Sequence, residues 1–261
     1  MNGKGDKWRG GWSKTYESNH KQIFGDKMKV LELFAGSRSF SKVAEKYGCK
    51  THTTDIEPYD KIDQVCDIFN FDFDKVGFVP DIVWCSPPCT CFSIAACSTH
   101  FRKGMPEKLN PKITDLWYNN GYSNEERNYT PKTKDAVIAL RIIRRTKAII
   151  DCYKKLNPNL IFIIENPRGM LRKMPEMKSY SFYLKTVWYC QYGDTRAKPT
   201  DIWTNASWIP RPVCKNGNPD CHHEKAPRGS KTGTQGLKNA HERSKIPEQL
   251  CEEILKSIIK G

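Results

Sequence analysis

A cysteine directly behind two prolines, at the end of an apolar run, is the first place in this chain where chemistry could occur. In Asp81-Ile-Val-Trp-Cys-Ser-Pro-Pro-Cys-Thr-Cys-Phe-Ser93 a β-branched stretch stops at Pro87-Pro88, and Cys89 follows. Neither proline can donate to a sheet ladder, so a strand must end there and leave Cys89 on a stiff loop. A thiol held in this way can act as a nucleophile of fixed aim; a cysteine buried only for packing is the alternative. Gly36 and Glu165 also fall at the ends of apolar stretches, and Asp55 follows an expected strand over 50–54. In a parallel α/β sheet such ends meet in one crevice, where ligands bind.

The elements that must position these residues follow from the periodicity. Strands are expected over 28–34, 50–54, 81–85 and 160–164, with two more inside 185–203. Helices are expected over 39–47, 134–155 and 247–259. Strands alternating with helices predict an α/β fold with a doubly wound, mostly parallel sheet. Around that core we expect a basic arm over 1–27 and a catalytic domain over 28–205. A small irregular subdomain over 206–240 and a C-terminal segment, 241–261, packing back on the catalytic domain complete the chain. The polar stretch 101–130 is long for a connection, and such loops are commonly functional.

Gly36, with an acid about 20 residues later at Asp55, suits a nucleoside cofactor, the glycine allowing close backbone approach and the carboxylate accepting ribose hydroxyls. Ala35-Gly36-Ser37-Arg38-Ser39 lacks the glycine spacing of a pyrophosphate binder, so a cofactor without phosphates, such as S-adenosylmethionine, fits better. An ordinary tight turn at Gly36 and a helix cap at Asp55 are the alternatives.

The chain has 261 residues, 38% hydrophobic, with 43 basic and 29 acidic residues and a net charge of +14. That field favours a polyanionic partner, nucleic acid foremost. No run is long and apolar enough to span a membrane, and the polar start lacks the core of a secretory signal. With 11 cysteines, an odd number, reduced thiols in an intracellular protein are expected, in a bacterial cytoplasm or a phage- or virus-infected cell.

Taken together, these residues resemble the cytosine-C5 DNA methyltransferase family. Leu31-Glu-Leu-Phe-Ala-Gly36 looks like its first motif, Pro88-Cys89-Thr-Cys-Phe-Ser93 its nucleophile loop, and Glu165-Asn166-Pro167 its Glu-Asn-Val motif with Pro for Val. Tyr192-Gly-Asp-Thr-Arg196-Ala-Lys198 is similar to its Tyr-Gly…Gln-x-Arg-x-Arg element, shortened and with Asp194 and Lys198 substituted. The resemblance spans roughly 28–205 and implies the S-adenosylmethionine-dependent methyltransferase type of Rossmann-like sheet. It implies Cys89 as nucleophile at cytosine C6, Glu165 at N3 and Arg196 at O2, although Arg196 could instead serve a phosphate or surface contact. For S-adenosylmethionine it implies Phe34, Ala35, Gly36, Asp55, Ile56, Asp67, Ile68 and Pro88 as binding residues. The expected partner is double-stranded DNA, with RNA not excluded, and the protein is expected to be a monomer. The family's target-recognition region is nearly absent, which resembles compact phage- or virus-type members; 101–130 and 208–240 are the candidates for DNA contact.

Two cysteine groups invite a metal reading. The spacing of Cys85, Cys89, Cys91 and Cys97 matches no ligand pattern. Cys214, Cys221, His222 and His223, on a Gly/Asn/Pro-rich loop, suit a structural zinc, with His241 or Cys251 as further candidates; scattered loop residues are the alternative. The rival enzyme is an exocyclic-amine methyltransferase, which Ser86-Pro87-Pro88 half matches, but Cys89 stands where that class needs an aromatic ring. A non-catalytic DNA-binding relative is the rival from another class; binding alone needs neither Cys89 nor Glu165.

Overall fold

A computed structural model describes residues 27–104, 129–215, 217–225 and 239–260. The basic arm lies outside the described residues apart from Lys27, as do most of 101–130 and much of 206–240.

Seven strands form one sheet: β1 (Lys29–Leu33), β2 (Lys50–Asp55), β3 (Gln64–Val65), β4 (Ile82–Cys85), β7 (Ile161–Pro167), β8 (Leu184–Trp188) and β9 (Pro199–Thr204). Their order is β3-β2-β1-β4-β7-β9-β8. A separate ribbon pairs β5 (Phe101–Lys103) with β6 (Tyr129–Pro131). β3, β2, β1, β4 and β7 run parallel, whereas β9 is antiparallel to both β7 and β8. The fold is the expected α/β, Rossmann-like one. β3 has two residues and therefore no period to detect in the sequence. β7 runs past the expected end through Pro167, because Asn166 and Pro167 still lie opposite Asp201 and Thr200 on β9.

Both faces of the central strands are covered, which is why they read as unbroken apolar runs. Val30, Ile82, Trp84 and Ile163 face a layer containing α1 (Ser39–Lys46) and the C-terminal helix. Leu31, Leu33, Val83, Phe162 and Ile164 face the long helix Lys134–Leu156. We label the helices α1, α2 (Cys97–His100), α3 (Lys134–Leu156), α4 (Ala240–Ser244) and α5 (Glu248–Lys260). Thr133 caps α3, its hydroxyl accepting the Ala136 amide at 3.2 Å. Arg145 of α3, in a basic run that reads as a solvated face, instead donates from Nε to the Ile68 carbonyl at 3.2 Å.

α1 has no side-chain cap of its own. Glu32, buried on β1, supplies one from the sheet, its carboxylate accepting the Phe40 and Ser41 amides at 3.2 and 2.8 Å. Burial raises its pKa, against the pull of those bonds. α5 lies against α1 through buried Leu250, Cys251, Ile254 and Leu255. Burying each aliphatic side chain contributes about 1.5–3 kcal/mol. The Lys46–Glu248 pair is exposed and screened by solvent, so packing holds the chain's end in place. No helix among the described residues is long and apolar enough to cross a membrane.

Candidate active site

Parallel pairing aligns the carboxyl ends of β1, β2, β4 and β7. Leu33 lies opposite Thr54 on one side and Cys85 on the other, and Cys85 opposite Ile164. Phe34-Ala35-Gly36, Asp55-Ile56, the Ser86–Cys89 loop and Glu165 therefore emerge side by side along one sheet edge.

The chain turns sharply after β1. Phe34 and Arg38 have φ of 58° and 56°, and Gly36 has 49°. A left-handed non-glycine residue such as Phe34 costs on the order of 1–3 kcal/mol and persists only where its surroundings hold it. The neighbouring strand does so: the Ala35 amide donates to the Thr54 carbonyl at 3.0 Å and the Gly36 amide to Asp55 Oδ2 at 2.8 Å. Asp55 Oδ1 accepts the Glu57 amide at 3.0 Å. Two of the carboxylate's roughly four acceptor positions are thus used, and the rest remain for a ligand. Ile56, 61% exposed, offers an apolar surface beside them. Asp67 is exposed and caps the turn Ile68–Asn70, its Oδ1 accepting the Phe69 amide at 3.0 Å. Ile68, expected at the cofactor with it, is buried in the core with Phe71 and Val76; the 3-10 turn directs its side chain inward.

The second half of the site is the Pro-Cys loop. Pro87 is buried and its carbonyl accepts Asn166 Nδ2 at 2.9 Å, while Pro88 is exposed. The Cys89 carbonyl accepts the Phe92 and Ser93 amides, both at 3.0 Å, which closes the loop into one turn and leaves the thiol half-buried. Cys85 and Cys91 point into the core. A neighbouring loop clamps this turn: the Met170 amide donates to the Phe92 carbonyl at 2.8 Å. A Cβ at Gly169 would stand 2.2 Å from the Phe92 carbonyl oxygen. Only glycine allows backbones to approach so closely. Gly169→Ala should therefore push the nucleophile loop out of place. We expect a loss of about 1–3 kcal/mol together with weaker activity, read by thermal melting and turnover; an unchanged melting curve would contradict this.

Glu165 is 5% exposed, and Oε1 accepts the Tyr189 hydroxyl at 2.8 Å. Burial raises its pKa, and Lys198 and the Tyr189 bond only partly oppose that. Burial likewise pushes the Cys89 thiol up, with Lys198 pulling it down. Lys198 itself is lowered by burial, and the charges of Glu165 and Cys89 act to raise it. Its Nζ donates to the Arg243 carbonyl at 3.2 Å and lies 4.8 Å from the Tyr189 ring centroid. An acid, a thiol and a cation thus share one electrostatic environment.

Arg196, expected as the cation of this site, is committed elsewhere. Its guanidinium is 5% exposed and forms a fork with the Asp194 carboxylate. It also donates to the Arg243 and Lys245 carbonyls at 3.0 and 3.1 Å. It ties the strand-end segment to the C-terminal region; Lys198, two residues on, shares the Arg243 carbonyl with it and acts electrostatically on the acid and the thiol. The expected zinc group changes in a similar way. His222 is exposed, with Nε2 at 3.2 Å from the Asp194 carbonyl oxygen, and Cys190 takes its place beside Cys214, Cys221 and His223. His241 stacks on Tyr59, and Cys251 is buried in α5. Lys198, Tyr189, Gly169 and Cys190 are the residues that sequence reasoning missed; for Lys198 the Arg-x-Lys spacing was the available signal.

No family model matches this chain, and no curated protein matches it. Among solved structures, the chain is similar to a mutant of Spodoptera frugiperda DNMT2, with 14% sequence identity and a TM-score of 0.34. The likeness covers 77% of this chain and 58% of that one, so the chain spans less than two thirds of that neighbour's length.

Proposed function

We propose that this protein is an S-adenosylmethionine-dependent methyltransferase acting on C5 of cytosine in DNA. The observation that carries this reading is the Pro-Cys loop of Cys89 tied to the strand of Glu165 at the carboxyl edge of the sheet, through Asn166 Nδ2 and the Pro87 carbonyl at 2.9 Å, with Glu165 inclined by burial to keep its proton. The turn after β1 and the acceptors of Asp55 fit the cofactor: a strained backbone bound to a carboxylate with free lone pairs, next to exposed Ile56.

A cytosine within a duplex hides C5 and C6 in the stack, so the base must be flipped out to reach this edge. Cys89, as thiolate, adds to C6, and the S–C6 bond forms as the C5–C6 π pair shifts into the ring. Glu165 makes this possible by donating its proton, or a strong hydrogen bond, to N3. Lys198 supplies the positive charge at O2 that the resemblance would assign to Arg196. S-Adenosylmethionine, when bound, would supply an electrophilic methyl group to C5, its sulfonium sulfur departing as a neutral thioether. Loss of the C5 proton to a base then returns the electron pair to the C5–C6 bond, Cys89 leaves as thiolate, and N3 gives its proton back to Glu165. The thiol's raised pKa means that Lys198 and substrate binding together must favour the thiolate. The net charge of +14 supports a polyanionic substrate.

Nucleoside mass spectrometry tests this. Mixed-sequence DNA incubated with the protein and S-adenosylmethionine should yield 5-methylcytosine after digestion. N4-methylcytosine or N6-methyladenine would replace the thiolate mechanism with amine methylation. A product found only in RNA would keep the mechanism and change the substrate.

A further inference from the structure

Cys190, Cys214, Cys221 and His223 bring their ligand atoms within 4.8 Å of one another. They come from two separate parts of the chain. Cys190 lies in the turn Tyr189–Tyr192 after β8, and the other three lie in the irregular stretch beyond β9. Cys190, Cys214 and His223 are buried and Cys221 is half-buried. We propose that these four residues form a structural zinc site of the Cys3His type. It is separate from the methyltransferase chemistry and does not depend on that reading.

The geometry is close to what zinc requires. Zn–S bonds of about 2.3 Å in a tetrahedron place sulfurs about 3.8 Å apart. Cys214 Sγ lies 3.7 Å from His223 Nδ1, and the widest separation in the group is 4.8 Å, so a small contraction completes the shell. Four protein ligands with no place for water make a structural rather than a catalytic site. Amide donors already face the sulfurs: Gln191 Nε2 lies 3.8 Å from Cys221 Sγ, and Asn218 Nδ2 lies 3.8 Å from Cys214 Sγ. Outer-shell donors of this kind stabilise thiolate ligands.

His223 needs one adjustment. Its Nε2 accepts the Gly217 amide at 2.9 Å, so the neutral ring carries its proton on Nδ1. On loading, that proton moves to Nε2, the Gly217 amide turns away and each thiol loses its proton. Gly217, with φ of 76°, is a residue whose backbone permits such a turn.

The ion would add a cross-link to a segment that Trp208 and Arg211 already anchor at its start. Beyond β9 the chain exposes Ile209 and Val213, and a β-bridge joins Glu224 to Arg196. Zinc would cross-link this segment to the turn that begins with Tyr189, the residue that donates to Glu165. The metal's binding energy therefore contributes to folding.

The purified full-length protein should contain about one zinc per chain by plasma mass spectrometry. After exchange with Co(II), it should show thiolate-to-cobalt charge transfer and intense visible bands of a tetrahedral site. Cys190→Ser should lower metal occupancy more than about tenfold, whereas His222→Ala should keep it. Should Cys190→Ser not fold, the wild type decides: chelation should expose three further reactive thiols, one for each cysteine ligand, and lower the melting temperature. Zinc far below one per chain, a disulfide among the three cysteines, or occupancy that depends on His222 but not on Cys190 would each overturn the assignment.

Discussion

Changing Cys89 to alanine should abolish methyl transfer, a loss on the order of 10⁴-fold or more, since a covalent nucleophile has no substitute in its site. The fold should survive, because the thiol is half-buried and the loop around it is held by backbone hydrogen bonds from Phe92 and Ser93. We expect a stability change within about 1 kcal/mol. DNA binding, which draws on phosphate contacts, should persist. A trapping experiment adds a direct readout. DNA carrying 5-fluorocytosine should leave the wild type covalently attached after denaturation, because a C5 fluorine cannot depart as a proton does. The Cys89→Ala protein should form no such adduct. A variant that methylates cytosine within about tenfold of the wild type would remove Cys89 from the mechanism.

Glu165→Gln should give the second-largest effect, a fall of about 10²–10⁴-fold in kcat/KM, the range for loss of a positioned general acid. Glutamine keeps the oxygen that accepts the Tyr189 hydroxyl and can still donate a hydrogen bond to a ring acceptor, but it has no proton to give to N3. The same exchange should leave a signature in stability. Burial raises the folded pKa of Glu165 above its ordinary value. Below about pH 4.5 the group is neutral in both the folded and unfolded states and has no effect. As pH rises from there through the folded pKa, the unfolded chain ionises first, so this group progressively destabilises the fold. The Gln variant lacks that loss. Its melting temperature relative to the wild type should therefore rise between acid and mildly alkaline pH, while its activity stays low throughout. A pH-independent difference between the two melting curves would show that Glu165 is ionised in the fold, and would contradict its role as the acid.

The catalytic candidates were legible because each sits immediately after an apolar strand. Pro87-Pro88 ends β4 and presents Cys89, and the run ending in Glu165-Asn166-Pro167 marks β7 by composition alone. Gly36 was legible for the same reason and Asp55, behind the polar run 50–54, by its spacing from Gly36; the hydrogen bond between them gives their pairing a physical basis. Lys198 was not legible as the cation of the site. Arg196 is held by Asp194 through a local fork and by the Arg243 and Lys245 carbonyls far along the chain, whereas Lys198, which shares the Arg243 carbonyl, acts electrostatically on Glu165 and Cys89. Gly169 was not legible either, since its need for a missing Cβ arises only from the Phe92 carbonyl opposite it.

By itself, then, the sequence determined the alternating α/β plan, the strand ends that carry chemistry, and the positive field that favours nucleic acid. These are local or summed properties, set by the periodicity of apolar residues, by proline's missing donor and by net charge. Tertiary structure alone decided which side chains are spent on holding the fold and which are left to act. It tied Arg196 to the Arg243 and Lys245 carbonyls, turned Ile68 into the core, and exchanged His222 for Cys190 in the thiol–imidazole cluster. Each of these outcomes depends on distances between residues remote in the chain, and a distance of a few ångströms separates an occupied hydrogen-bond donor from an available one.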